Sequence, residues 1–185
     1  MVNYYLDIET TGLDPETCKI ITIQFQPLDF NTGNPIGKLT ILKSWESSEI
    51  EILKQFQKIF DTHDKWGFIA HGYNLHFEEK FLRVRSQKYY GLKPIELFSK
   101  PTIDLHPVGI MLNSGFFKGS GLDKISGKMN DGMYVLECYT ANMYDKIEDY
   151  IVQETEEYIK LYVWLRKEMP KLLVEYRKIL GDKED

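Results

Sequence analysis

Two hydrophobic periodicities divide this chain of 185 residues, and they limit its fold more than its composition does. Up to about residue 45 the apolar residues fall as in strands; after Ser47 they recur every three to four positions, as in helices. Strand-like runs cover Tyr4–Glu9, Ile20–Gln26 and Lys38–Trp45, and the turn-forming stretch from Asn31 to Gly37 predicts a hairpin loop between the last two. Ser47 or Ser48 then stands where a helix would be capped, before Ile50, Leu53, Phe56, Ile59 and Phe60 at helical spacing. A short apolar strand over Trp66–His71 and a helix over about Leu75–Tyr90 follow, then a short strand at Thr102–Leu105. Residues 107–142 read as short helices and loops. A long helix is predicted from about Asp145 to Met169; Pro170 should kink or restart it, with a final helix to Leu180 and a frayed charged tail. Strands paired first as hairpins and later entered through helices make an α/β fold with a mixed sheet. The length fits one domain over residues 1–170, with 171–185 as its C-terminal helix and tail.

Composition narrows the partners. Hydrophobic residues make up 43% and aromatics 14%, enough for a sizeable core, yet the longest apolar runs are far too short to span a membrane. The opening residues Met1–Tyr5 carry no charged leader and run straight into a strand, which argues against secretion. Cys18 and Cys138 lack metal-finger or CxxC spacing, so free thiols and a cytoplasmic location are expected. A net charge of −5 excludes a whole-surface nucleic-acid binder but leaves room for a local basic groove.

The chemistry concentrates in three segments. In the strand Tyr5-Leu6-Asp7-Ile8-Glu9, alternation projects Asp7 and Glu9 to one face and Leu6 and Ile8 to the other. Two adjacent carboxylates repel, and a divalent cation such as Mg²⁺ or Mn²⁺ removes the repulsion. Thr10, Thr11 and Gly12 follow as a tight turn offering backbone N–H groups and hydroxyls. On the helix after Asn74, the apolar arc of Phe77, Phe81, Leu82, Val84 and Tyr89 contains Glu78, whereas Glu79 faces outward, one turn before Arg83. On the long helix, Glu154 lies on the core stripe of Ile147, Ile151, Tyr158, Leu161 and Leu165, seven residues from both Ile147 and Leu161. Asp149 and Glu156 point away. A carboxylate on a core stripe needs a partner, and a metal is a good one. Tyr150, one turn earlier, can reach the same pocket. His71 and His76 read as ordinary core or surface histidines.

The string D-I-E-T-T-G-L at Asp7–Leu13 resembles the first motif of the DEDD, or DnaQ-like, 3′→5′ exonucleases. Asn74–Leu82 resembles the second, N-L-x-F-D-x-x-F-L, with Glu78 where the family has Asp. Tyr150–Glu154 resembles the Y-x-x-x-D third motif of the tyrosine subclass, as in ribonuclease D and family B polymerase proofreading domains, again with Glu for Asp. Thr102–Leu105 resembles the D-L segment between them, with Asp104 read as a structural strand-end cap. The resemblance implies a ribonuclease H-like mixed five-stranded sheet flanked by helices. It implies two divalent ions, Mg²⁺ or Mn²⁺, held by Asp7, Glu9, Glu78 and Glu154, with Asp7 bridging them and Tyr150 orienting the attacking water. It also implies hydrolysis of single-stranded DNA or RNA from the 3′ end, with Thr10, Thr11, Gly12, Leu13 and Asn74 against the substrate and Leu13 wedged at the terminal base. Between residues 80 and 100, Lys80, Arg83, Arg85, Lys88, Lys93 and Lys100 outnumber Glu96, and Tyr89 and Tyr90 lie among them. Arg83 and Arg85 are the expected backbone contacts. Two rival functions stay open: a metal-poor module that binds nucleic acid or a protein, favoured by the Glu-for-Asp changes, and an endonuclease on the same fold.

Overall fold

The computed structural model describes residues 2–62, 64–126 and 132–180. The expected charged tail from residue 181 and part of the 107–142 region therefore lie outside the described residues.

Five strands form one mixed sheet in the order β3-β2-β1-β4-β5. Strands β1 (Asn3–Thr10), β2 (Ile20–Leu28) and β3 (Thr40–Lys43) pair antiparallel; β4 (Ile69–Gly72) and β5 (Thr102–Asp104) continue the sheet in parallel from β1. Helices α1 (Glu49–Thr62) and α2 (Leu75–Gln87) provide the crossovers, as parallel pairing requires. Short helices α3 (His106–Leu112), α4 (Leu122–Ser126) and α5 (Gly132–Thr140) lead into α6 (Tyr144–Ile179), of 36 residues.

The central strands are packed on both faces, and β1 decides which residues go where. Leu6 and Ile8 pack with Ile52, Phe56, Phe81 and Leu82 in the cluster beneath α1 and α2. Tyr5 packs on the opposite face against Tyr158, Tyr162 and Leu165 of α6, and Ile147, Tyr150 and Ile151 extend that face with Val135 of α5. Asp7 and Glu9, in phase with Tyr5, thus lie on the α6 side.

Several boundaries differ from the sequence reading. β4 begins at Ile69 because Trp66 sits in a turn closed by Asp64, whose side chain accepts the Trp66 N–H at 2.9 Å and whose carbonyl accepts that of Gly67. β3 is shorter than Lys38–Trp45, and α2 stops at Gln87. Pro170 does not restart the last helix: α6 runs through it. Pro170 and every described residue of α6 after it are exposed, so the proline ring meets no packed neighbour there; its missing N–H leaves the carbonyl of half-buried Arg166, four residues earlier, without its helical donor.

Candidate functional site

β1 delivers Asp7 and Glu9 where strand pairing ends. Asp7 lies opposite Gln24 and Glu9 opposite Thr22, and the ladder is interrupted by a bulge between Glu9 and Thr10. Such an irregularity turns the chain out of the sheet and re-aims its side chains. From the far end of the sequence, α6 brings Glu154 to the same place: oxygens of Asp7, Glu9 and Glu154 lie within 4.8 Å of one another. From α2, Glu78 reaches Asp7 closely enough for their carboxyl groups to hydrogen-bond. Four acidic groups from three elements therefore converge, as strand alternation and the helical wheels predict.

The site is electrostatically strained without a cation. Burial, and then the charge of Glu154, raises the Asp7 carboxyl above the usual carboxylate range. Burial, and then Asp7, does the same to Glu78, which is 4% exposed. Three polar groups partly compensate. Gln24 donates from Nε2 to Asp7 Oδ2 at 2.8 Å, and the Tyr5 hydroxyl donates to the same oxygen at 3.4 Å. Tyr150 hydrogen-bonds Glu154; burial and the neighbouring carboxylates push its phenol far above the normal tyrosine range, so it remains a donor at any working pH. The residue set fits a divalent cation. All four ligands are hard oxygen donors, and Glu78 Oε2 is buried with no hydrogen-bond partner among the described residues.

Two cavities flank the cluster. One, of about 300 Å³, is walled by Asp7, Glu154, Tyr150, Tyr73, Asn74 and His106, with the α4 residues Leu122 and Asp123 across from them. The other, of about 510 Å³, is a mainly apolar trough made by Ile8, Leu13, Phe77, Met133 and Leu136, with Glu9, Thr10 and Gly12 on its border. Leu13 stands 83% exposed on its rim.

The other predicted residues divide into those at the site and those turned to internal work. Asn74 lines the first cavity and holds a left-handed backbone (φ 68°) before α2. Asp104 fixes that turn by accepting the N–H groups of Asn74 and Leu75 at 2.8 and 3.0 Å, the capping role expected of it. Thr10 and Thr11 spend their hydroxyls on the turn itself: Thr10 Oγ1 donates to the Gly12 carbonyl at 2.6 Å, and Thr11 Oγ1 accepts the Lys19 N–H at 2.9 Å. A Cβ at Gly12 would lie 2.7 Å from Cys18 Sγ, so any larger residue there would have to displace that thiol.

The expected basic groove is the main correction. Arg85 is buried, clamped to Glu49 by Nε (2.8 Å) and Nη2 (2.6 Å), and donates from Nη1 to the Pro15 carbonyl at 3.2 Å. Tyr89 also donates to Glu49, at 2.5 Å. Lys88 pairs with Glu16 at 2.8 Å, Lys100 lies over the Phe60 ring, and Arg83 pairs with Glu79 at 3.7 Å. Arg85 and Lys88 brace the loop between β1 and β2, and Lys100 the end of α1; of the two predicted backbone contacts, Arg83 is the one left near the surface. His71 is a core histidine and His76 a surface one edge-on to Phe98. Sequence reasoning missed Gln24, Tyr73, His106 and Asp123. Only the strand register, for Gln24, and the path of the α3–α4 loop, for the rest, reveal them.

Comparison with known proteins agrees with this architecture. The crystal structure of Escherichia coli exonuclease I in complex with a dT13 oligonucleotide superposes with a TM-score of 0.62 at 13% identity, over 94% of this chain and 43% of that one. The zinc-ion-bound form of the E. coli exonuclease I–single-stranded DNA complex gives 0.63 at 13% identity, over 92% and 42%. The chain thus spans less than half the length of these neighbours, and what they share is the fold. No curated protein matches the chain in sequence. A family model does match, over residues 4–130, from the first strand through β5 and α4. It is the model of the RNase H superfamily, and the chain belongs to that superfamily.

Proposed function

We propose that this chain is a divalent-metal-dependent 3′→5′ exonuclease of the tyrosine DEDD subclass, acting on single-stranded DNA or RNA. The observation that carries the reading is the convergence of Asp7, Glu9 and Glu154 within 4.8 Å, with Glu78 against Asp7. Divalent cations held by these four carboxylates, Mg²⁺ or Mn²⁺, supply an activated water and neutralise charge on the phosphodiester. The protein's own groups do the rest. Gln24 and Tyr5 hold Asp7 in orientation. Tyr150, kept protonated, cannot serve as a base; it donates its one hydrogen to Glu154, and its oxygen is left to accept a hydrogen bond from the attacking water. The apolar trough beside Glu9 accepts a terminal base against Leu13 and Phe77, and Asn74 and His106 line the path of the phosphates. The oligonucleotide and single-stranded DNA held by the exonuclease I neighbours support the same class of ligand.

The test is digestion of end-labelled single strands, DNA and RNA, with Mg²⁺ or Mn²⁺, beside Asp7→Ala. Stepwise shortening from the 3′ end that needs metal and disappears in the variant is the expected result. Binding without cleavage at any metal concentration would leave the binding-module reading, which the Glu side chains at 78 and 154 favour. Internal cuts would leave the endonuclease.

A further inference from the structure

We propose that the loop joining α3 to α4 is a stacking platform, on which Phe116 and Phe117 hold unpaired bases of the strand whose end enters the carboxylate site. The proposal deepens the nuclease reading and rests on it for the identity of the ligand.

Phe116 is 68% exposed and Phe117 77%. Two adjacent phenyl rings in water forgo burial that favours almost any other placement. A floppy tip would explain such exposure, but this loop is tied. Gly115 and Gly119 have φ of 84° and 87°, a region open chiefly to glycine, so the chain reverses sharply on either side of the rings. Asn113 Nδ2 donates to the carbonyls of Phe116 and Lys118 at 2.7 and 3.0 Å. Ser120 Oγ donates to the Phe117 carbonyl at 2.7 Å, and Gly115 N–H closes on Ile110 at 2.8 Å. Rings on a fixed backbone lose little entropy when they bind.

The loop is also joined to the site. Ser120 is fully buried; its carbonyl accepts the Tyr73 hydroxyl and its side chain meets His106 Nε2 at 3.2 Å. Tyr73 and His106 are walls of the cavity that contains Asp7 and Glu154, so the rings stand a few residues from that wall. Chemistry then selects the ligand. The chain carries a net charge of −5, the site gathers four carboxylates, and much of the basic segment before β5 is occupied internally. Phosphates gain little here, and Lys118 is the loop's one cation. A strand can be held against that field through its bases, because stacking on an aromatic ring neither needs phosphate contacts nor depends on sequence.

The experiment measures binding of a 5′-labelled oligothymidylate and its RNA counterpart by fluorescence anisotropy, with chelator present so that nothing is cut. Wild type is compared with Phe116→Ala/Phe117→Ala and with Phe116→Tyr/Phe117→Tyr, each checked for an unchanged melting temperature. The alanine pair should weaken binding by about 10-fold or more, and the tyrosine pair by less than about 2-fold. The alanine-pair loss should persist at high salt. Abasic sites walked back from the 3′ end should reveal one or two positions where removing the base abolishes the difference between wild type and the alanine pair. Equal binding by the alanine pair overturns the platform, as does a loss that is the same on strands without bases, or a wild type that binds no single strand. The two readings fail separately. If wild type cuts nothing but the alanine pair still weakens base-dependent binding, the nuclease reading falls and the platform stands. If wild type cuts and the alanine pair binds and cuts as well, the reverse holds.

Discussion

Lowering the pH should weaken the fold through His71. This histidine is fully buried in β4, edge-on to the Tyr162 ring at 4.8 Å, and neither ring nitrogen has a hydrogen-bond partner among the described residues. Burial, and then the positive charge of Arg166, lowers its pKa from 6.5 to about 4. The unfolded chain therefore binds the proton more readily than the folded one between those values, so stability is full above about pH 6.5 and falls as the pH drops toward 4. The whole effect is about 3 kcal/mol, of which about 2 kcal/mol is lost between pH 7.5 and pH 5. Asp7 and Glu78 act in the opposite sense, since their raised pKa values make protonation favour the folded state. The comparison must therefore be with a variant. His71→Leu, unfolded by urea at both pH values, should lose about 2 kcal/mol less than wild type over this interval. Identical pH dependence in the two proteins would refute the argument and mean that the ring is protonated inside the fold.

Other perturbations address the site and its supports. Tyr150→Phe should lower turnover by about 10-fold to 100-fold with little change in KM, since a positioned donor is lost while substrate contacts remain; a KM effect alone would contradict this. Asp7→Asn removes a buried carboxyl whose ionisation burial and Glu154 oppose, so the metal-free protein should melt about 3 °C higher or more, and the stabilisation given to wild type by Mn²⁺ should vanish. A retained Mn²⁺ shift would remove Asp7 from the ligand set. Glu78→Asp/Glu154→Asp should weaken Mn²⁺ binding measured by calorimetry. It withdraws each carboxylate by about 1.5 Å, against a tolerance of roughly 0.5 Å; tighter binding would mean the backbone still suits the shorter acid. Arg85→Ala leaves Glu49 buried and uncompensated and should cost about 3–5 kcal/mol in urea unfolding; a loss below about 1 kcal/mol would show that solvent reaches the pair.

What the sequence discloses depends on how far apart the interacting residues are. Asp7 and Glu9 are legible because strand alternation is a two-residue rule, and Glu78 and Glu154 because a helical wheel needs only their own helices. Arg85 is misread for the opposite reason. A basic residue among basic residues looks like a solvated or phosphate-binding face, and its partner Glu49 lies 36 positions upstream on another helix. Gln24 requires the β1–β2 register, which the nine residues between Thr10 and Ile20 do not specify from composition. Pro170 shows local preference overridden on a part of the helix that packs against nothing, since Pro170 and the described residues of α6 after it are exposed. The aromatic pair at 116 and 117 falls in a stretch readable only as short helices and loops, because its anchors are backbone carbonyls and left-handed turns.

The distribution of the acidic cluster along the chain also bears on biosynthesis. Asp7 emerges from the ribosome early, Glu78 midway, and Glu154 only with the final helix, so the first and last ligands are separated by 147 positions (154 less 7). Until α6 is released and docks on the sheet, the growing polypeptide holds two or three carboxylates with no fourth side. On the proposed nuclease reading, the full set of ligands is assembled only when α6 docks on the sheet, so the site is completed by tertiary structure and by no single segment.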